Sequence, residues 1–297
     1  MALTINTNLS SIVAQQNLAK ATSSLNLAIE RMTTGYKINH AGDNAAGYSI
    51  ARNWETQLGS LDVAADNAAT GADMMSTLED HYSLISTHLQ RVRDLTEQAA
   101  NGTYGQDSLN AINSEITARL EEVDRISKNC EFNGRKMMLG EDSTDPQAIK
   151  NHIYLQVGLY SGEDSQIKLD KSLFSSAQVK DLFTNYGDDG AFADVAAVAN
   201  KCTGTTTAAG MLDTIDNVIK EISKRTTTLG AAQNRIDSAI ESIGVQSENI
   251  TSSLSTLRDA DIAEESSKYI QAQILQQAAS TLLSTANQTP SIALNLL

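Results

Sequence analysis

Apolar residues near the amino-terminal end recur at intervals of three and four, the spacing of a helix that packs along one stripe. The series is Leu18, Ala21, Leu25, Ala28 and Met32. Gly35 and the stretch 39–47 (NHAGDNAAG) then interrupt the pattern with turn-forming residues. The sequence therefore predicts a helix with a coiled-coil type of seam, followed by a linker.

Two further helices that fold back on each other are predicted between residues 58 and 123. The first has apolar residues at Leu58, Leu61, Ala65, Ala68, Ala72 and Met75 and, after a slip of one position, at Leu78, Tyr82, Ile85, Leu89, Val92 and Ala99. Residues 101–105 (NGTYG) supply a turn. The second helix has its stripe at Leu109, Ile112, Ile116, Leu120 and Val123.

The middle of the chain changes character. Residues 153–157 (IYLQV) and 166–169 (QIKL) alternate in the manner of strands around a glycine-containing loop, which predicts a β-hairpin. Residues 172–210 are weakly patterned and contain a Gly/Asp-rich and a Thr-rich piece. We expect a short surface insertion there.

The strongest periodic signal lies near the carboxyl-terminal end, where an aliphatic residue occupies every seventh position: Ile222, Leu229, Ile236, Ile243, Ile250 and Leu257. Six heptads predict a helix of about 60 Å. A last helical segment, 270–283, precedes Pro290. Because both chain ends carry seams that a lone helix cannot cover, we expect the ends to pair and to become fully buried only in an assembly.

Composition narrows the functional class. A net charge of −14 and a pI near 4.6 repel nucleic acids and anionic membrane surfaces, so neither is an expected partner. No apolar stretch approaches the roughly 18 residues of a membrane span, and residues 1–10 lack the pattern of a cleaved signal peptide. If the chain is exported, we expect export without such a signal.

Catalytic motifs are absent from the sequence. The four histidines, at 40, 81, 88 and 152, form no H-E-x-x-H motif, and no phosphate-binding glycine loop or G-x-S-x-G elbow occurs. We therefore expect no enzymatic activity, no cofactor and no metal site. Cys130 and Cys202 fit no metal-ligand spacing, and free thiols are favoured over a disulfide between them.

The ordered motifs resemble those of bacterial flagellin over roughly the first 170 and the last 85 residues. At the amino-terminal end they are MALTINTNLSSIVAQQNL, GYKINHAGDNAAGYSIA, LQRVRDL, INSEITARLEEVDRIS and EFNGRKMML, and at the other end LGAAQNRIDSAI, DADIAEESSKYIQAQILQQA and ANQTP. His40, Gly42, Trp54, Ile236 and the two cysteines depart from the family pattern.

The resemblance implies a mainly α fold: a long antiparallel helical bundle or coiled-coil rod from both chain ends, with a small β-hairpin region and a short central insertion. It implies a filament-core domain of residues 1–44 and 256–297, a helical domain of 45–171 and 211–255 that carries the hairpin near 153–170, and the variable insertion 172–210. We expect the assembly residues to be Leu18, Leu25, Met32, Ile270, Ile274 and Leu282.

The function implied is a structural subunit of the extracellular flagellar filament, a homopolymer used for motility. The flagellar type III apparatus would export the chain unfolded, with an export chaperone on its carboxyl-terminal segment and with the filament cap and hook-associated proteins as further partners. Hook–filament junction proteins, which have similar ends, are the alternative. A purely intramolecular helical bundle is the second alternative for the terminal seams.

The resemblance also implies recognition of the monomer by host toll-like receptor 5. The motif positions are Arg91, Leu95 and Glu115, together with Gln90 in the same LQRVRDL segment. Arg91 and Leu95 are i and i+4 neighbours on one helix, which predicts a local patch of charge beside an aliphatic side chain. Contact with the next filament subunit is the other use expected of this face.

Overall fold

A computed structural model describes residues 7–141, 143–184, 186, 194–203 and 207–294. It confirms the prediction of a mainly α fold. The helices are α1 Leu9–Thr34, α2 Ala45–Ala100, α3 Gln106–Asn129, α4 Val179–Thr184, α5 Val195–Thr203, α6 Ala208–Arg258 and α7 Ile262–Leu294. The strands are β1 Glu131–Phe132, β2 Arg135–Lys136, β3 Ile153–Gln156 and β4 Gln166–Leu169, and short 3-10 helices lie at Glu163–Ser165 and Lys171–Phe174.

The chain divides into two compact units, each built from both halves of the sequence. The first unit comprises residues 1–59 and 247–297, and the second comprises 60–246. These limits lie further inward along the chain than the predicted domain limits at 44/45 and 255/256. The predicted limits stay a prediction about the filament.

In the first unit, α1 begins and ends at residues suited to these positions. The Asn8 side chain accepts the Ser11 N–H at 3.1 Å and so caps the first turn. Gly35 ends the helix with φ 75°, a left-handed conformation that glycine adopts without strain, and its N–H donates to the Arg31 carbonyl at 2.9 Å. The predicted helix and linker are therefore found, although α2 already begins at Ala45, inside the predicted linker.

Helix α7 is longer than the predicted segment 270–283. It begins next to Asp261, whose Oδ1 accepts the N–H groups of Ala263 and Glu264 at 2.8 and 3.2 Å. It continues past Pro290 to Leu294. The helix therefore gains turns at both ends that the apolar pattern did not indicate.

The core of the second unit contains most of the predicted stripes of α2, α3 and α6, although Ala65, Ala72, Leu109 and Ile112 are only half-buried. On α6, Ile222, Leu229, Ile236 and Ile243 are all buried, as the heptad pattern predicts. Ile250, which belongs to the first unit, is only half-buried. The seam therefore closes over four of the six heptads rather than all of them.

The predicted β-hairpin is confirmed as β3 paired antiparallel with β4, with Ile153 opposite Leu169 and Gln156 opposite Gln166. It packs on α2 at a glycine. A methyl group added to Gly71 would lie 2.4 Å from Leu155 Cδ1, so an alanine there would displace the Leu155 side chain. A second, unpredicted hairpin joins β1 to β2 through Asn133 and Gly134, which have φ values of 48° and 76°.

The expectation of a surface insertion at 172–210 needs correction in its described part. Phe174, Phe183, Val198 and Cys202 are fully buried in the core of the second unit. Helix α5 contacts α3, where Asn113 Nδ2 donates to Asn200 Oδ1 at 3.0 Å. The apolar residues of these short helices are too few to show a period, which explains the weak pattern. Residues 185, 187–193 and 204–206, which carry the Gly/Asp-rich piece and most of the Thr-rich piece, lie outside the described residues.

Candidate assembly and receptor-binding surfaces

Helices α1 and α7 pair antiparallel over a ladder of alanines. Asn8 contacts Ala286, Thr22 contacts Gln276, and Arg31 contacts Glu265, so the residue numbers run in opposite directions. The buried positions recur every seven residues on both helices: Ala14, Ala21 and Ala28 on α1, and Glu265, Ala272 and Ala279 on α7. Alanine at every seventh position lets the two helices approach closely along the whole pair.

The predicted assembly residues fall into two groups. Leu18, Leu25 and Met32 are half-buried beside the alanine ladder and help to close the pair. In contrast, the α7 residues Ile270, Ile274 and Leu282 are 54%, 60% and 63% exposed. The structure therefore does not bring the six residues into one cluster: three belong to the α1–α7 contact, and three face solvent.

The exposed apolar side chains of the pair continue on α1. Leu9, Ile12, Val13, Leu27 and Ile29 are exposed there, and a groove of about 600 Å³ between the helices is lined by Leu27, Leu275 and Leu282 among others. No Asp, Glu, Lys, Arg or His occurs at positions 2–19 or 269–296. The groove also holds Lys20 and, at one end, Arg31, Glu265 and Lys268. A largely uncharged surface with this many solvent-facing aliphatic groups is typical of a surface that is covered in an assembly.

One charged residue interrupts the ladder. Glu265 is 4% exposed and receives Lys268 Nζ at 2.8 Å and Arg31 Nη1 at 3.5 Å. Arg31 lies in the last turn of α1 and Lys268 lies near the start of α7, so both cations come from the same end of the pair. They compensate a carboxylate that would be costly to bury alone. The apolar pattern did not indicate this residue, although its place seven positions before Ala272 is a usable signal.

The predicted receptor-binding residues on α2 and α3 are partly brought together. Arg91 Nε donates to Glu115 Oε1 at 3.0 Å across the two helices, and the Arg91 side chain is 43% exposed. Arg119 reaches the same Glu115 oxygen at 3.8 Å. Gln90 is exposed, and its Nε2 lies 3.4 Å from Ser86 Oγ. Arg91, Glu115 and Gln90 therefore present polar atoms to solvent.

Leu95 does not belong to this exposed patch, which corrects the expectation that it lies at the surface beside Arg91. Its side chain is 2% exposed and belongs to the core of the second unit together with Val92 and Leu89. An i, i+4 spacing places the two residues on neighbouring turns of α2. Leu95 belongs to the core-facing stripe of that helix, whereas Arg91 lies beside the stripe and reaches solvent. Leu95 supports the helix beneath Arg91 and offers no surface of its own.

Other kinds of site find little support in the described residues. Within them, no group of three or more His, Cys, Asp or Glu side chains is arranged to hold a metal ion, and no helix is long and apolar enough to cross a membrane. Cys130 and Cys202 are free and fully buried. Burial raises the pKa of Cys130 to about 12 and that of Cys202 to about 11, so neither thiol ionises readily.

A helical chain whose two ends pair and leave a largely uncharged apolar surface has the features of a self-assembling structural subunit. Comparisons with known proteins agree with this class of protein. The model of the bacterial flagellin N-terminal helical region matches residues 5–143, and that of the C-terminal helical region matches residues 212–297. The chain belongs to the bacterial flagellin family.

Relatives match along the full length of the chain. Flagellin of Halalkalibacterium halodurans is 32% identical over 293 residues, with 99% of both chains covered. Flagellin of Bacillus subtilis is 32% identical over 310 residues with the same coverage. Among solved structures, a chain provisionally described as a flagellar hook-associated protein from Vibrio parahaemolyticus aligns with a TM-score of 0.59 at 14% identity, covering 73% of this chain and all of that one. That likeness concerns the fold alone.

Proposed function

We propose that the α1–α7 pair supplies the principal contacts between subunits of the flagellar filament. Family membership makes the chain a structural subunit of that filament. The observation that carries the proposal is the exposure of Ile270, Ile274 and Leu282 on a pair whose own seam is already closed. The role is structural throughout, and we expect no peptidase or other enzymatic activity.

The test replaces one exposed aliphatic residue and one exposed polar neighbour. Ile274→Ser removes apolar area from the proposed contact, and Gln277→Ala, also at an exposed position of α7, is the matched control. Burying an isoleucine contributes about 1.5–3 kcal/mol, so the critical concentration for seeded assembly should rise about tenfold or more for Ile274→Ser. Electron microscopy and sedimentation give the concentration. Assembly of Ile274→Ser at the same critical concentration as the parent would contradict the proposed contact.

The same experiment separates a filament subunit from a hook–filament junction protein. A filament subunit adds to its own ends and gives polymers of unlimited length. A junction protein forms a short layer and stops. Long filaments from the purified chain support the filament role, and failure to elongate beyond short rings or stubs favours the alternative.

We further propose that the chain is exported unfolded through the flagellar type III apparatus and acts outside the cell. A chaperone would cover the uncharged segment from Tyr269 onward before export, and the filament cap and hook-associated proteins would contact the chain during assembly. Family membership supports this route. Mass spectrometry of secreted protein should find a chain that starts at Met1 or Ala2, and a start well inside the sequence would contradict it.

A second proposed interaction is recognition of the unpolymerised subunit by toll-like receptor 5. Arg91, Glu115 and Gln90 would make the contacts, while Leu95 holds the α2 backbone in place from the core. An arginine presents five donors in a fixed arrangement, which suits a charged or carbonyl-lined partner surface. The ion pair with Glu115 keeps the guanidinium oriented in the free protein.

Binding to the receptor ectodomain tests this proposal. Arg91→Ala should weaken binding about tenfold or more, as is usual for an arginine at the centre of an interface. Arg125→Ala is the matched control, because Arg125 is also exposed and, among the described residues, forms its ion pair with Glu122 of its own helix, at 2.7 Å. Equal loss in both variants, or no loss in Arg91→Ala, would reject the assignment.

A further inference from the structure

The alanine ladder of the α1–α7 pair does not by itself define how the two helices align. Alanines recur at seven-residue intervals on α1 at 14, 21 and 28 and on α7 at 272, 279 and 286. A slip of one heptad, about 10 Å along the helix, again brings alanine against alanine. Uniform seams of this kind leave several registers close in energy, and polar contacts are the usual means of selecting one.

A first polar contact lies at the distal end of the pair. Asn8 Nδ2 donates to the Ala286 carbonyl at 2.7 Å. In an α-helix that carbonyl would accept from the residue four positions later, but residue 290 is a proline and has no N–H to donate. Pro290 therefore frees one carbonyl of α7 for Asn8. No other turn of α7 in the described chain has a proline that would free a carbonyl in this way.

A second set of contacts lies at the opposite end, around Arg258. Its guanidinium contacts the Glu55 carboxylate, donates from Nε to the Ile38 carbonyl at 3.3 Å and stacks on the Tyr36 ring at 4.2 Å. One side chain thereby joins the end of α6, the α1–α2 linker and the first part of α2, all within the first unit.

The backbone supports the same junction. The Lys37 N–H donates to the Arg258 carbonyl at 2.7 Å, and the Ala260 N–H donates to the Gly35 carbonyl at 2.8 Å. Gly35 directly follows α1, and Ala260 lies just before α7. The junction therefore fixes the two helix ends from which the alanine ladder starts.

We propose that Asn8 and Arg258 are the positioning residues that select the register of the α1–α7 pair, and that the filament accepts only this register. A slipped pair would still bury its alanines, although it would separate Arg31 from Glu265. It would shift the exposed residues of α7 by about 10 Å relative to those of α1, which separates the two halves of the assembly surface. The inference rests on the proposed role of the pair in the filament.

Three variants separate register selection from general stability. Asn8→Asp keeps a side chain that caps α1, since aspartate is as good a cap as asparagine, but it cannot donate to the Ala286 carbonyl. Arg258→Ala removes the side-chain contacts of the junction and leaves its backbone hydrogen bonds in place. Arg52→Ala is the matched control, because Arg52 also pairs with Glu55, at 2.9 Å, and also lies over a tyrosine ring, that of Tyr48, but contacts only its own helix.

The register is read by cross-linking in both the unassembled chain and the filament. Gln276 Nε2 donates to Thr22 Oγ1 at 3.1 Å, so the pair Thr22→Cys with Gln276→Cys reports the observed register. Thr22→Cys with Tyr269→Cys, or with Leu283→Cys, reports a slip of one heptad in either direction. A thiol-reactive cross-linker shorter than the step of about 10 Å distinguishes them. The monomer-sized band of the denatured product contains the links made within one chain, and peptide mapping identifies them.

In the parent background, only the Thr22–Gln276 pair should link. Asn8→Asp and Arg258→Ala should raise the critical concentration about tenfold, as loss of a part-buried hydrogen bond or of a charge-assisted contact would, and the slipped pairs should now link in the chain that stays unassembled. Arg52→Ala should match the parent in both measurements.

The inference is overturned if both variants link only at Thr22–Gln276, whether or not their critical concentration changes, because the contacts then stabilise the pair without selecting its register. Asn8→Asp gives this answer even if Arg258→Ala fails to fold. Absence of the Thr22–Gln276 link in parent filaments is a distinct result, which contradicts the proposed pairing in the filament itself.

Discussion

Replacing Leu95 should damage the fold, whereas replacing Arg91 four residues earlier should leave it almost intact. Leu95 is 2% exposed and packed in the core of the second unit, so Leu95→Ala creates a cavity and should cost about 2–5 kcal/mol of unfolding free energy. Arg91 is 43% exposed, and its ion pair with Glu115 contributes about 0.2–1 kcal/mol.

Urea denaturation of the monomer, monitored by circular dichroism and by tyrosine fluorescence, measures both effects. With a slope of about 2–3 kcal/mol per molar urea, Leu95→Ala should lower the midpoint by about 1 M or more, and Arg91→Ala by only a few tenths. Leu95→Met, which conserves volume, is the control and should stay near the parent.

This difference decides how receptor experiments are interpreted. A loss of receptor binding in Leu95→Ala would reflect a weakened α2, whereas a loss in Arg91→Ala would reflect a missing contact. If Leu95→Ala unfolds at the same urea concentration as the parent, Leu95 is not in the core, and our account of this face is wrong.

Three further predictions concern single side chains. Ala21→Leu should block assembly without changing the urea midpoint of the second unit, because a leucine at this buried position would push the two helices apart or project into the groove between them; filaments formed at the parent concentration would contradict this. Cys130 should resist alkylation at pH 8 in the native protein and react after denaturation, since burial raises its pKa to about 12 and keeps it protonated; rapid native labelling, followed by mass spectrometry, would show the site to be open. The backbone N–H groups of His40 and Asn39, each 3.0 Å from Asp43 Oδ2, lower the pKa of that carboxyl. Because the folded-state pKa is lowered, the carboxylate stabilises the linker above the unfolded value of about 3.9, and this stabilisation is lost as the pH falls through the folded value. Asp43→Ala should therefore speed amide exchange in the linker at pH 7 and have a smaller effect in acid.

The long helices could be predicted because their apolar residues repeat over many turns. Most positions of the α2 and α3 stripes and four of the α6 heptads are buried as the spacing indicates. The start of α7 was missed because residues 262–269 are mostly polar, although Asp261 followed three positions later by Glu264 is a capping signature. Helices α4 and α5 are too short to show a period at all.

The candidate sites were only partly visible in the sequence. Periodicity assigns Leu18 and Ile270 equally to a seam, but only the structure shows that the first closes the pair and the second remains in solvent. Arg91 and Glu115 are 24 positions apart and meet only because α2 and α3 fold back on each other. The roles of Asn8, Pro290 and Arg258 depend on contacts between distant segments, for which a single sequence contains no local signal.

The central claim is that the paired chain ends build the filament. Seeded assembly of the full chain should be compared by electron microscopy with that of two truncations, one lacking residues 1–40 and one lacking residues 260–297. We expect long filaments from the full chain, and from each truncation a folded helical protein that forms none. Filaments from either truncation would contradict the claim.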